Sequence, residues 1–447
     1  MDAPHPPILD QPNLGQPSLG QPSLGQHGGA GRLTAHPARA TILAELHARP
    51  SAPVSTPCRI LHFAFATDIA QARAARAAFD RFCAEHGLDP LAEGAKHHRV
   101  EFSGCVLRWE SHSEFTTYDW QFAAAGTRPF QPAPDTLAGV MSLVPQPGPL
   151  LVAIDLHLLP AVEEAVFSRL ELAASEVEDG AASIATDFKA DPHGFVRILV
   201  GDRRLTPMQA GGLVQRLIEI ETYRSFALLG LIEAQRLTPS VHEIETELPQ
   251  LLERIQSSQE ETNRAVLSRL LALAAELEKG AAESLFRFGA TRAYAALVRL
   301  RLDAIAERPI PGVPSWSAFL SRRMGPAIRT CATMEERQAN LSRKLARAGQ
   351  LLRTRVEIEL QSQNRDLLHG VSERGRVQLR LQQTVEGLSV AAISYYIVSL
   401  VHLLLEGVHT AGVGIEPLVG TAASIPFVVL GVAWIVSRIR RRHAGSV

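Results

Sequence analysis

Two stretches near the C-terminus, Leu388 to Leu405 and Leu418 to Ser437, contain no Asp, Glu, Lys or Arg, and Arg438, Arg440, Arg441 and Arg442 follow the second closely. At ~18–20 residues each is long enough to cross ~30 Å of hydrocarbon as a helix. A Gly-rich turn joins them, so the chain is expected to end in a two-helix transmembrane hairpin that holds everything before it at a membrane surface.

Arginine sets the expected orientation. Arg374, Arg376 and Arg380 precede the first span and the basic cluster follows the second, whereas the turn from Glu406 to Pro417 has two glutamates and no Lys or Arg. Positive flanks stay cytoplasmic, which predicts a multi-pass membrane protein with both termini inside. The N-terminus has no basic region followed by an apolar stretch and cleavage site, so no export signal competes. Trp434 and the arginines after it are the expected anchors of the cytoplasmic end.

With 447 residues, 46% of them hydrophobic, the chain can build two or three packed units besides the hairpin. The net charge of −1 gives no reason to expect nucleic acid. Cys58, Cys83, Cys105 and Cys331 are far apart without a CxxC pair, as expected of reduced, buried thiols.

Residues 1–40 hold the pentad repeat QPNLG, QPSLG, QPSLG and lack the apolar surface to offset ordering, which predicts a disordered tail. An α+β domain is expected over 41–205. Arg59 to Ala66, Arg99 to Trp109, Glu114 to Phe122 and Leu150 to Leu159 read as strands, Asp68 to His86 and about Ala161 to Val177 as helices, and Ser183 to Lys189 with Gly194 to Gly201 as a hairpin. A helical region follows over 206–332, with capped starts at Thr206-Pro207 and Thr238-Pro239 and a break at Arg308 to Pro314.

Thr333 and Glu336 form a capping box, from which a long stalk helix (333–387) is expected to run into the first span. Leu341, Leu345, Ala348, Leu352, Val356, Leu360, Leu367 and Val371 lay one apolar stripe along this coiled-coil-like rod. Such a stripe needs a partner: either the preceding helices or other copies of the chain, so a homo-oligomer is expected. Gly370, Gly375 and Gly387 favour a kink near the membrane.

Glu45-Leu46-His47-Ala48-Arg49-Pro50 and the run Gly387 to Tyr396 resemble the bacterial family of uncharacterised membrane-anchored proteins defined by a large domain of unknown function. The resemblance covers about residues 40–442. It implies a location, the bacterial inner membrane, and no activity. In layout alone the chain is similar to CorA-type magnesium transporters, whose first span lines a pentameric pore and ends in Gly-Met-Asn. Here that place reads Glu406-Gly407-Val408-His409-Thr410, so the selectivity motif is absent.

Tyr395, Ser399, His402 and Glu406 recur at spacings of four, three and four, giving the first span one polar face. Such a face lines a pore or forms hydrogen bonds within a helix bundle. Gly420 and Ser424 have the small-xxx-small spacing of close helix contact. In the body, His97-His98 and the group His112, Glu114, Asp119 contain metal-ligating residue types, but HExxH, CxxC, GxxxxGK and GxSxG are all missing. Gly201-Asp202-Arg203-Arg204 stands between a strand and a helix without the glycines of a phosphate loop. Glu45, His47, Arg49 and Pro50 are expected to order a domain edge. No catalytic residue, metal or cofactor is expected. The leading expectation is a non-enzymatic, membrane-anchored oligomeric scaffold or sensor in contact with the lipid bilayer; the alternatives are an ion channel or transporter of altered selectivity and an anchored hydrolase.

Overall fold

The computed structural model describes residues 36–39, 42–43, 51–123, 129–131, 138–144, 146–160, 167, 172–257, 260–410, 414 and 416–444. Of the expected tail (1–40), residues 1–35 and 40 lie outside them, as do the motif residues Glu45, His47, Arg49 and Pro50. The chain divides into two compact units, Met1–Phe226 with Tyr294–Arg323, and Ala227–Ala293 with Met324–Val447.

The first unit is built on a mixed sheet. Its strands are β1 (Cys58–Ala66), β2 (His97–Phe102), β3 (Cys105–Ser111), β4 (Phe115–Ala123), β5 (Leu150–Pro160), β6 (Ala173–Val177), β7 (Ala182–Ala190), β8 (Val196–Asp202) and the two-residue β9 (Arg308–Pro309). Their order is β2-β3-β4-β1-β5-β8-β7-β6-β9. Among the described residues only the central pair β5–β8 is parallel. The run read as one strand from Arg99 to Trp109 is the hairpin β2–β3. It reverses at Ser103-Gly104, both at positive φ, the geometry that a two-residue turn between twisted strands requires. The helix expected up to Val177 is contradicted at Ala173–Val177, which is strand β6; the small side chains of Ala173, Ala174 and Ser175 pack in the sheet.

Helix α1 (Ile69–Glu85) follows β1 and opens on a capping box between Asp68 and Gln71. Its Phe79, Phe82 and Cys83 cover one sheet face, where Leu61, Phe63, Leu107, Trp109, Tyr118 and Trp120 form an aromatic core. The opposite face meets the first turns of α2 (Pro207–Ser257). There Val54 N donates to Pro207 O at 2.9 Å. A Cβ on Gly211 would stand 1.8 Å from Ala52 O, so only glycine allows residues 52–54 to pass this close.

The second unit is a three-helix assembly of α2, α3 (Glu260–Ala304) and α4 (Trp316–Thr410), with α5 (Pro417–Ala444) after it. Leu237, Val241, Ile244, Leu248, Leu251 and Ile255 recur at alternating spacings of four and three, and Met334, Gln338, Leu341, Leu345, Ala348 and Leu352 do the same; all are buried. Val266, Leu270, Leu273 and Leu277 of α3 complete the core. This packing carries α2 through Pro239 and Pro249, although proline costs a helix interior ~3 kcal/mol. The helix start expected at Thr238 is therefore an interior position, with Thr238 Oγ1 donating to Ala234 O at 2.7 Å.

The start expected at Thr333 is interior too. Helix α4 begins at Trp316, where the Glu307 carboxylate accepts from Trp316 N at 3.0 Å and Ser317 N at 2.9 Å. From there it runs 95 residues without a break, through Gly370, Gly375 and Gly387.

Candidate functional site

The polar face expected on the first apolar helix is tied down locally. His402 Nδ1 lies 3.0 Å from Thr421 Oγ1 on α5, joining the two helices of the hairpin. Ser399 Oγ donates to Tyr395 O at 2.9 Å. The Tyr395 and Glu406 side chains are exposed. On α5, Gly420, Thr421, Ser424, Val428 and Gly431 are half-buried and Val432 is buried, so the small residues lie on the covered stripe. At its far end the Arg438 guanidinium stands 5.0 Å from the centre of the Trp434 ring. Arg440, Arg441 and Arg442 lie in the last turns of the same helix.

A second polar constellation lies inside the first unit, on the sheet face covered by α2. His62 Nδ1 is 2.5 Å from Asp119 Oδ1, a pairing set by the register in which His62 of β1 faces Asp119 of β4. His62 Nε2 is 3.0 Å from Thr222 Oγ1 of α2. The other oxygen of Asp119 accepts from Arg108 Nε at 2.9 Å and Nη2 at 2.8 Å. Arg108 also pairs with Glu110 at 3.5 Å, and Glu110 with His112 at 3.3 Å. A chain of polar contacts thus runs Thr222–His62–Asp119–Arg108–Glu110–His112.

Burial alone would raise the Asp119 pKa, but the charges and hydrogen bonds of Arg108 and His62 outweigh it and hold the carboxyl at about 2. Burial likewise disfavours charge on Arg108, yet Asp119 and Glu110 raise its pKa. The Thr–His–Asp spacing is that of a nucleophile, base and orienting acid. However, Thr222 is buried, and the adjoining cavity of about 20 Å³ has room for one water. The contacts fasten α2 to the sheet.

Another buried ion pair lies on the aromatic face. Arg59 Nε and Nη2 each donate to Asp155 at 2.8 Å, with His157 Nε2 at 3.4 Å from the same carboxylate. The sequence signal for both groups is a charged or imidazole side chain inside an otherwise apolar strand: Arg59 and His62 in CRILHFAFA, Asp155 and His157 in LLVAIDLHLLP.

Of the metal candidates read from residue type, His112 and Asp119 belong to this chain of contacts, and His98 Nε2 lies 2.8 Å from Asp89 O. Among the described residues no group of three or more His, Cys, Asp or Glu is placed to hold a metal ion. In the Gly201–Arg204 segment, Asp202 accepts from Thr56 Oγ1 at 2.5 Å and Leu205 N at 2.8 Å, while Arg203 pairs with Glu176 at 2.8 Å. The four cysteines are buried and free; burial pushes the Cys58 thiol up to about 12.

A family model described as a protein of unknown function, DUF3422, matches residues 34–443. The chain belongs to this family. Its match spans both units and both apolar helices. No curated protein matches the sequence. Nothing in this match shows the expected similarity to CorA-type transporters.

Proposed function

We propose that this DUF3422 protein is a non-enzymatic scaffold or sensor, anchored in the bacterial inner membrane by α5 and the last turns of α4, with its body and both termini on the cytoplasmic side. One observation supports the reading. The two helices long and apolar enough to cross a membrane have only 6% of their apolar windows buried within the protein. Leu388, Leu400, Leu404, Phe427 and Leu430 stand exposed there, a surface that water disfavours and lipid accepts. The arginine flanks support the orientation, and the Trp434–Arg438 contact fits an interfacial end. The His402–Thr421 bond supports an interhelical role for that polar face over a pore lining.

The test is fractionation of cells producing the full chain. Recovery in the membrane pellet after alkaline carbonate washing is expected, with a tag between Thr410 and Pro417 labelled from the periplasm. Recovery in the supernatant without detergent would overturn the reading.

A further inference from the structure

One ring nitrogen in the first unit has two neighbours that ask opposite things of it. Phe130 N donates to His157 Nε2 at 3.2 Å, and Asp155 Oδ1 stands 3.4 Å from the same Nε2. A backbone amide is only a donor, and an ionised carboxylate is only an acceptor. Nε2 therefore satisfies Phe130 when it carries a lone pair and Asp155 when it carries a proton, and never both.

Neither neighbour can change its role. Asp155 is fully buried and takes two bonds from Arg59 at 2.8 Å. Burial alone would raise its pKa, but the hydrogen bonds and charges of His157 and Arg59 outweigh that and lower it, so the carboxylate stays ionised. The hydroxyl of Thr222, which faces His62 Nε2 in the other polar group, rotates to suit either form of the ring. The peptide N–H of Phe130 has no such freedom.

Phe130 also depends on what holds it. Its φ is +62°, a left-handed conformation that a bulky residue rarely adopts. Its ring meets the imidazole edge-on at 4.8 Å and the Phe167 ring at 6.0 Å, and the Arg197 guanidinium lies 5.6 Å from its centre and 5.3 Å from that of Phe167. The sheet presents Arg59 of β1 opposite His157, Asp155 on the same strand and, beyond the Phe130 ring, Arg197 of β8 with its partner Asp187 of β7 at 3.3 Å. Phe130 and Phe167 bring no charge. A proton on His157 would thus turn one donor against another and place a second cation beside a ring that already faces Arg197.

We propose that His157 is a proton-controlled latch: neutral, it holds the turn at Phe130 on the sheet, and protonated, it pairs with Asp155 and lets that turn go. The latch lies wholly in the first unit and is independent of membrane anchoring. Its direction is fixed by the donor and acceptor roles: the bond to Phe130 is present at high pH and is lost as pH falls through the range in which an imidazole gains its proton.

Hydrogen exchange of the full chain, resolved to single amides by mass spectrometry and corrected for the intrinsic effect of pH, reads the latch at Phe130 N. Arg203 N, which donates to Ala181 O at 2.9 Å, is a turn amide with no imidazole in its bond and serves as the reference. Protection at Phe130 is expected to fall about tenfold between about pH 8 and 5 while that at Arg203 holds. His157→Gln offers an oxygen to Phe130 and an N–H to Asp155 at once, so protection in that variant should stay high and flat across the range. A flat Phe130 profile in the unsubstituted chain, or one that falls in parallel with Arg203, overturns the inference; so does a fall that persists in His157→Gln. If that variant does not fold, the comparison of Phe130 with Arg203 in the unsubstituted chain decides.

Discussion

Asp119 is the residue on which the polar layer of the first unit turns, because it answers both Arg108 and His62. Its folded pKa of about 2 lies below the ~3.9 of an unfolded aspartate, so its contribution to stability is complete above that value and is lost as pH falls toward 2. Asp119→Asn is expected to cost roughly 3–5 kcal/mol in denaturant unfolding followed by the fluorescence of Trp109 and Trp120, and to flatten the acid limb between about pH 4 and 2. A loss below ~1 kcal/mol would show that the layer contributes little. Asp119 was legible in the sequence only as a possible metal ligand beside His112 and Glu114. Its actual partners lie 57 residues away at His62 and 11 away at Arg108, and Thr222 is a further 160 from His62. Strand register brings them together, and that register is set by turns and packing that local periodicity does not encode.

At the scale of elements, apolar periodicity was legible wherever it was long. The strands β1, β4 and β5, the β7–β8 hairpin, α1 and the two apolar helices all lie where alternation or helical spacing places them. Local breakers misled in both directions. Pro239 reads as a helix start, yet the four-three stripe from Leu237 to Ile255 is buried on both sides of it. Ser103-Gly104, by contrast, is a turn inside a run that looks continuous. One stripe on α4 serves two environments, which predicts opposite outcomes for one substitution. Leu345→Ala, in the bundle core, should destabilise the second unit by ~2–5 kcal/mol in thermal or chemical unfolding. Leu367→Ala should leave that stability within ~0.5 kcal/mol, because its side chain is exposed in its own chain. Equal losses at the two sites would contradict the change from buried to exposed along the stripe.

For the whole molecule, the sequence made the apolar C-terminal end and the family resemblance readable, while the activity of the body was not readable, because no motif in it carries a chemistry on its own. The stripe of α4 from Met334 to Leu388 keeps the 3.6-residue period of a straight α-helix. The line of side chains sheltered as far as Leu352 thus continues bare along the same side of the rod, so that whatever meets the protein there meets a direct prolongation of its own core.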